Sequence, residues 1–385
     1  MVDWLVPLAN LNFDGSEKEA VNAVLDSGWL AMGAGVQAFE EEFARLVGVK
    51  HAVAVTNGTV SLHLAALALG LGPGDEVIVP SLTFVATAAA ILYVGATPVF
   101  ADINGEQDLT ISLDSIEERI TDRTKAIFVM HYGGYPCDMP AVMDLAAKYG
   151  LGVVEDAAHA PGASIDGRGM GGWGHIGSFS FFPNKNLTTA EGGMVTTNDD
   201  ELAEKLRRLR SHGMTTLTWD RHRGHAYSYD VVDLGYNYRM DEVRAAIGRA
   251  QLRKLPEANQ RRRELTALYR ELLAELAPDV TVPFQHHQGV SAAHILPILL
   301  PPGSDRIAFM ERMKAERIQT SIHYPPIHTF THYRENDQVV KVGLDNTENV
   351  AAREVTLPLY AGMGEEKVEL VVRTVQQALQ VVRAG

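Results

Sequence analysis

Seven short runs of β-branched and aliphatic residues crowd the N-terminal half of the chain, and they limit its fold more than any other feature. They read HAVAV from His51, EVIVP from Glu76, TPVFAD from Thr97, KAIFVMH from Lys125, GVVEDA from Gly152, GSFSFF from Gly177 and GGMVTT from Gly192. Helical patterns such as PAVMDLAAKYG and ELAEKLRRLRSHG accompany them. Strands that are apolar on both faces and spaced by helices predict an α/β domain, its mainly parallel mixed sheet flanked by helices.

Toward the N-terminus, Ser16 with Glu19 predicts a capping box ahead of AVNAVLDSG, and QAFEEEFARLVG reads as a second amphipathic helix. The pattern changes after about residue 240. A long helical stretch opens at Asp241, with Pro256 as the expected kink. Strand-like VTVP and HILPILL follow, then a helix around RIAFMERMKAER and a last one over EEKVELVVRTVQQALQVV. At 385 residues the chain is longer than one ordinary domain. The expectation is a large domain over 1–250 with an N-terminal arm, and a smaller C-terminal α+β domain over 251–385.

Composition removes several functions. A formal charge of -14 disfavours nucleic acid and anionic membrane as partners. Cys137 is the only cysteine, which excludes a disulfide framework and argues against a zinc site; no metal is expected. The start, MVDWLVPLANLNFDG, lacks the basic and apolar regions of a signal peptide. The longest apolar runs, near Phe84–Ala96 and His294–Leu300, are too short to span a bilayer. A cytoplasmic protein is expected.

Three segments carry chemistry. Thr56-Asn57-Gly58-Thr59 joins a strand to a helix, so free backbone N–H groups and the positive end of the helix dipole face an anion. A plain capped helix would look the same, and no phosphate-binding GxxxxGK[ST] loop is present. Asp156 ends the strand read from GVVEDA, at the carboxyl edge where open sheets bind ligands. An acid there can pair with a protonated ring nitrogen, or merely cap the next element. Lys185 closes SFSFFPNK, an aromatic-rich strand-to-turn segment. Desolvation lowers a lysine pKa and frees its amine as a nucleophile; an exposed turn lysine is the alternative. Ser180, five residues earlier, can hold a phosphate oxygen.

A phosphate turn, an acid about 100 residues on and a lysine about 30 residues further is the order of fold-type I pyridoxal-phosphate enzymes. The chain resembles one family of them over nearly its whole length, the DegT/DnrJ/EryC1/StrS sugar aminotransferases. The likeness rests on VLDSGWLAMGAGVQAFEEEFA, TNGTVSLHLA, PSLTFVATAAAI, VEDAAHAPGA, SFSFFPNKNLTTAEGGM, LGYNYRMDEVRAAIG, HYPPIH and LPLYAGM, in the family's order.

That resemblance implies pyridoxal 5'-phosphate as cofactor, Lys185 as its Schiff-base lysine and proton shuttle, and Asp156 as partner of the pyridine nitrogen. His159 is implied near the ring hydroxyl, and Phe84 against the ring face. Gly58, Thr59 and Ser180 are implied to hold the phosphate, and Asn237 to reach that of the neighbouring subunit, so that a homodimer shares its two sites. Some family members with histidine in place of the lysine act as dehydratases, which the lysine here argues against. The implied reaction moves an amino group from glutamate to a keto sugar on a nucleotide. Trp219, Arg221, Arg223 and Arg239 are candidates for the substrate's anionic part, and His323, Tyr324 and His328 for its sugar. A solvated loop explains the 219–225 segment equally well, and an ion pair explains Arg239. A free ketosugar or cyclitol ketone as acceptor is the alternative, with a non-catalytic sugar-nucleotide-binding regulator behind it.

Overall fold

A computed structural model describes residues 3–215, 228–336, 339 and 341–383. All seven predicted runs form strands of one sheet: β1 (His51–Val55), β2 (Glu76–Pro80), β3 (Thr97–Ala101), β4 (Thr124–Met130), β5 (Gly152–Asp156), β6 (Ile176–Ser180) and β7 (Gly193–Thr197). Their spatial order is β1-β7-β6-β5-β4-β2-β3. Only β7 runs against its neighbours; β6, β5, β4, β2 and β3 are parallel. The sheet is therefore mixed and mainly parallel, as expected of a fold-type I enzyme.

Side chains alternate between its faces. Ala52, Ala54, Ile78, Ile127 and Val153 enter one core, with Phe39 and Phe43 of helix α1 (Ala34–Val47). Val53, Val55, Val77, Phe128 and Val154 enter the other, with α2 (Gly58–Ala68) and α3 (Val85–Tyr93). Both faces are covered, so the strands read as continuous apolar runs. Parallel strands in this arrangement end together, and their carboxyl edge is where β5 delivers Asp156.

The long helix α4 (Glu242–Leu276) continues through Pro256, so the kink does not end it. Beyond it, β8 (Leu296–Leu299) and β9 (Glu354–Leu357) pair antiparallel. Helix α5 (Glu365–Arg383) packs its apolar side against α4, and Leu265, Leu273, Leu296, Val355, Val368 and Val372 share a separate core. Val6 belongs to that C-terminal core and bridges Ile318. VTVP makes no strand: Thr281 forms a single bridge to Leu299.

One local expectation is corrected. The capping box at the first helix is Asp14 with Glu17, not Ser16 with Glu19. Asp14 Oδ1 accepts the Ser16 N–H at 2.7 Å, and Glu17 Oε2 accepts the Asp14 N–H at 3.0 Å. A carboxylate is the stronger acceptor at a helix N-terminus. Glu17 is also fixed from outside, by Gln251 and Lys254 of α4.

Candidate active site

Three chain segments meet at the carboxyl edge of the sheet. At the first, α2 starts at Gly58, and Asn57 caps it by accepting the Val60 N–H at 3.0 Å. The N–H groups of Gly58 and Thr59 have no partner among the described residues, as the first turn of a helix dictates. Gly58 has no room for a side chain: a Cβ there would sit 2.6 Å from Ser180 Cβ. The turn thus lies directly on the end of β6, and the Ser180 hydroxyl stands beside two free amides. Its one hydrogen bond among the described residues, from the Phe182 N–H, is a long 3.4 Å.

At the second, Asp156 is buried at the end of β5. Its Oδ2 accepts from Thr87 Oγ1 at 2.7 Å and its Oδ1 from the Ala158 N–H at 3.1 Å. No cation pairs with it among the described residues. Burial raises its pKa, against the Thr87 and Ala158 hydrogen bonds and the positive charge of Lys185. The carboxylate is held by two donors and keeps lone pairs for a third.

At the third, the turn after β6 brings Lys185 within electrostatic reach of Asp156. Desolvation lowers the lysine pKa to about 8, against the pull of the Asp156 charge. Asn186 anchors this turn. Its amide donates to Asn259 Oδ1 and to the Ala292 carbonyl, both at 2.8 Å, and its oxygen meets His294 Nδ1 at 2.9 Å. The lysine backbone is clamped to α4 and to the C-terminal segment, while its amine hydrogen-bonds to nothing among the described residues.

Aromatic groups close the site. His159 is buried; its Nδ1 accepts the Gly133 N–H at 3.3 Å, so its Nε2 carries the hydrogen and faces Tyr324 Oη at 2.8 Å. Burial and the Lys185 charge push its pKa well below the usual histidine value. Phe84 is no core aromatic: it is 52% exposed at the start of α3, with its ring 5.8 Å from that of Tyr324. A flat apolar face lies open at the start of the helix whose Thr87 holds Asp156.

The other predicted residues differ in their placing. Asn237 is exposed, in the segment leading to α4. Arg239 forms no ion pair among the described residues, and its Nη1 is buried without a partner; burial and the neighbouring Arg210 lower its pKa. The ion-pair explanation for Arg239 thus finds no support. His323 is buried and hydrogen-bonded to Thr356 at 2.8 Å. His328 Nδ1 meets Ser81 Oγ at 2.7 Å and its Nε2 meets Glu348 Oε1 at 3.2 Å. Trp219, Arg221 and Arg223 lie outside the described residues.

Sequence reasoning missed Thr87, Asn186 and His294. Thr87 had one signal, a lone hydroxyl within the apolar run VATAAAI. The other two had none, because their partners are distant in sequence. Among the described residues no group of three His, Cys, Asp or Glu could hold a metal ion, and no helix is long and apolar enough to cross a membrane.

Comparison with known proteins gives the same picture. Residues 12–376 match the model of the DegT/DnrJ/EryC1/StrS aminotransferase family. The spore coat polysaccharide biosynthesis protein SpsC of Bacillus subtilis is 40% identical over 369 residues, 94% of each chain. The structure of DesI in the presence of its TDP-sugar product superposes with a TM-score of 0.88 at 34% identity, over 100% of this chain and 95% of the other. Spr1654 from Streptococcus pneumoniae, in its pyridoxal-phosphate form, superposes with a TM-score of 0.91 at 26% identity, over 98% and 99% of the two chains.

Proposed function

The chain belongs to the DegT/DnrJ/EryC1/StrS aminotransferase family and is a pyridoxal-phosphate-dependent aminotransferase; from that premise we propose that it moves an amino group from glutamate to a keto sugar carried on a nucleoside diphosphate. The observation that carries this reading is the desolvated Lys185 amine within electrostatic reach of the buried Asp156 carboxylate, together with an anion turn whose two amides have no partner among the described residues.

These groups fit the cofactor. The free N–H groups of Gly58 and Thr59, the Thr59 and Ser180 hydroxyls and the α2 dipole suit its phosphate. The Gly58–Ser180 contact holds them in one cradle. The spare acceptor capacity of Asp156 suits a protonated ring nitrogen, and Thr87 and the Ala158 N–H fix the carboxylate's orientation toward it. Phe84 offers a face for stacking. His159 is held as a neutral imidazole in one tautomer, and Tyr324 shares its hydrogen bond at the ring's edge.

When bound, pyridoxal phosphate supplies an electrophilic carbon and a ring that accepts the electrons of a broken C–H bond. The protein does the rest. With the cofactor bound, the Lys185 amine would hold it and would be the base that takes a proton from the amino donor's α-carbon. A pKa of about 8 leaves an appreciable neutral fraction of that amine near neutral pH. Asp156 would hold a proton on the ring nitrogen, because its buried carboxylate accepts from only two donors among the described residues.

The acceptor class rests on two supports. DesI is bound to a TDP-sugar, and SpsC takes part in polysaccharide biosynthesis. Arg239 presents a buried guanidinium nitrogen with no partner among the described residues, which suits an anionic oxygen. The same reading places Asn237 across a homodimer interface. Asn237 is exposed, and Val231, Val232 and Leu234 beside it are apolar and open, Leu234 at 87%. It also divides the chain into a cofactor domain over 1–250 and a small domain over 251–385, in line with the separate C-terminal core.

The experiment is a two-stage absorbance assay. Glutamate alone should convert the yellow enzyme to its amino form. A panel of nucleotide-linked keto sugars and free ketoses should then be offered, and the yellow form should return only with the linked sugars. Return with a free cyclitol ketone instead would overturn the acceptor class.

A further inference from the structure

The small domain holds a buried carboxylate that the chemistry above does not use. Glu354 opens β9, is fully buried and forms no ion pair among the described residues. Its Oε2 accepts the His323 backbone N–H at 2.8 Å, and its Oε1 accepts the Thr356 hydroxyl at 2.5 Å. Thr356 Oγ1 in turn lies 2.8 Å from His323 Nδ1. While Glu354 is ionised, the threonine hydrogen is committed to it, Oγ1 can only accept, and Nδ1 carries the imidazole hydrogen. His323 Nε2 is left as a bare acceptor with no protein partner among the described residues. Its ring is 6.4 Å from that of His159. With Thr356, His294 and Asn184 it lines a cavity of about 20 Å³, room for about one water, where His294 Nε2 is also buried and unpartnered.

We propose that Glu354, Thr356 and His323 form a proton relay, in which His323 Nε2 takes a proton from the active site and the Glu354 carboxylate ends up holding one. The bookkeeping is closed. A proton binds Nε2; the Nδ1 hydrogen passes to Thr356 Oγ1; the threonine's own hydrogen passes to Glu354 Oε1. One proton enters, one carboxylate is neutralised, and no bond to carbon changes.

The relay answers a physical difficulty. Burial and the Lys185 charge hold His323 down to about 4, so a charged imidazolium would not persist near neutral pH. Burial pushes Glu354 up to about 8, against the Thr356 and His323 hydrogen bonds and the Arg306 charge. Above about pH 8 the carboxylate is free to keep the proton taken at the other end; below it the relay rests filled, with the hydrogen on Nε2, and in neither state is there a buried cation. The neighbouring phenols of Tyr132 and Tyr324 are pushed well above their usual value and stay neutral. Glu354 is thus a positioning residue that sets the tautomer and basicity of His323. The role given to the relay rests on Lys185 being the reactive lysine; its existence does not.

The test combines pH-difference infrared spectroscopy of the holoenzyme with nitrogen NMR of labelled histidine. The wild type should show a carboxylic-acid band that titrates near pH 8, with His323 changing from the Nδ1–H to the Nε2–H tautomer as that band appears. In Glu354→Gln the amide oxygen must accept the His323 N–H, so its NH2 faces Thr356, and the hydroxyl turns to donate to Nδ1. The band should vanish and His323 should stay Nε2–H at every pH. Thr356→Val, which cuts the relay without touching the carboxylate, should keep the band but uncouple the tautomer from pH. Both variants should lose the turnover pH limb that follows Glu354. A Glu354 that stays ionised throughout, or the same His323 tautomer in wild type and Glu354→Gln above about pH 8, overturns the relay. If the relay titrates as described but cofactor attaches elsewhere than Lys185, the functional reading fails and the relay survives.

Discussion

Two carboxylates stand next to each other at the end of β5 and face opposite sides of the sheet. Glu155, on one face, accepts the N–H groups of Gly171, Trp173 and Gly174 at 2.6–2.7 Å, and lies 3.0 Å from His131 Nε2. His131 Nδ1 accepts the Cys137 N–H, so Nε2 is its donor. Four donors saturate Glu155, and it ties a glycine-rich loop to the strand. Asp156, on the other face, is equally deep but has two donors and no cation. Burial depth does not separate a structural acid from a chemical one; the number of lone pairs left over does.

The comparison breaks if the two residues fail in the same way. Glu155→Gln should give the largest effect, a loss of about 3–5 kcal/mol in unfolding free energy, because it strips a buried network of its charge and leaves donors facing donors. Urea unfolding checks it, and a variant as stable as wild type would end the contrast. Asp156→Asn should do the reverse. Stability should barely move, while the glutamate half-reaction slows on the order of 10²–10³-fold in single-turnover absorbance, as for loss of one aimed electrostatic group. Thr87→Val sharpens the point, since it removes one of the two donors to Asp156 and nothing from Glu155. A rate loss of about 10- to 100-fold is expected, the worth of a hydrogen bond to a charged group. Per pH unit, Glu354 gives the smallest and most graded effect. Its pKa is raised to about 8, so the folded state binds a proton the unfolded state has lost, and stability falls as pH rises from about 4.5 to about 8. Glu354→Gln should therefore gain on wild type by up to about 1.4 kcal/mol per pH unit across that window and stay level above it. Unfolding curves at stepped pH read this directly.

The sequence carried the large domain almost completely. Each of the seven runs became a strand, because a strand buried on both faces must be apolar throughout, and turn residues bound it. Asp156, Lys185 and the Gly58 turn were legible for a related reason: each breaks the local pattern at a strand end, an acid or a lysine where apolar residues belong. The N-terminal arm and the C-terminal part of the chain were less legible. VTVP alternates like a strand yet pairs only at Thr281, and the capping box slid from Ser16 to Asp14 because residues of α4 hold Glu17. Glu354 and His294 gave no signal at all, since what marks them is an unused or shared lone pair, and that depends on partners distant in the chain.

The central claim is that Lys185 is the residue to which the cofactor is joined. The measurement is borohydride reduction of the purified yellow enzyme, followed by digestion and mass spectrometry of the labelled peptide. The account predicts one modified residue, the lysine of SFSFFPNK, and no fixed label in Lys185→Ala, which should still retain the reduced, amino form of the cofactor through the Gly58–Ser180 cradle and Asp156. A reduced adduct on any other lysine of the wild-type chain would contradict it.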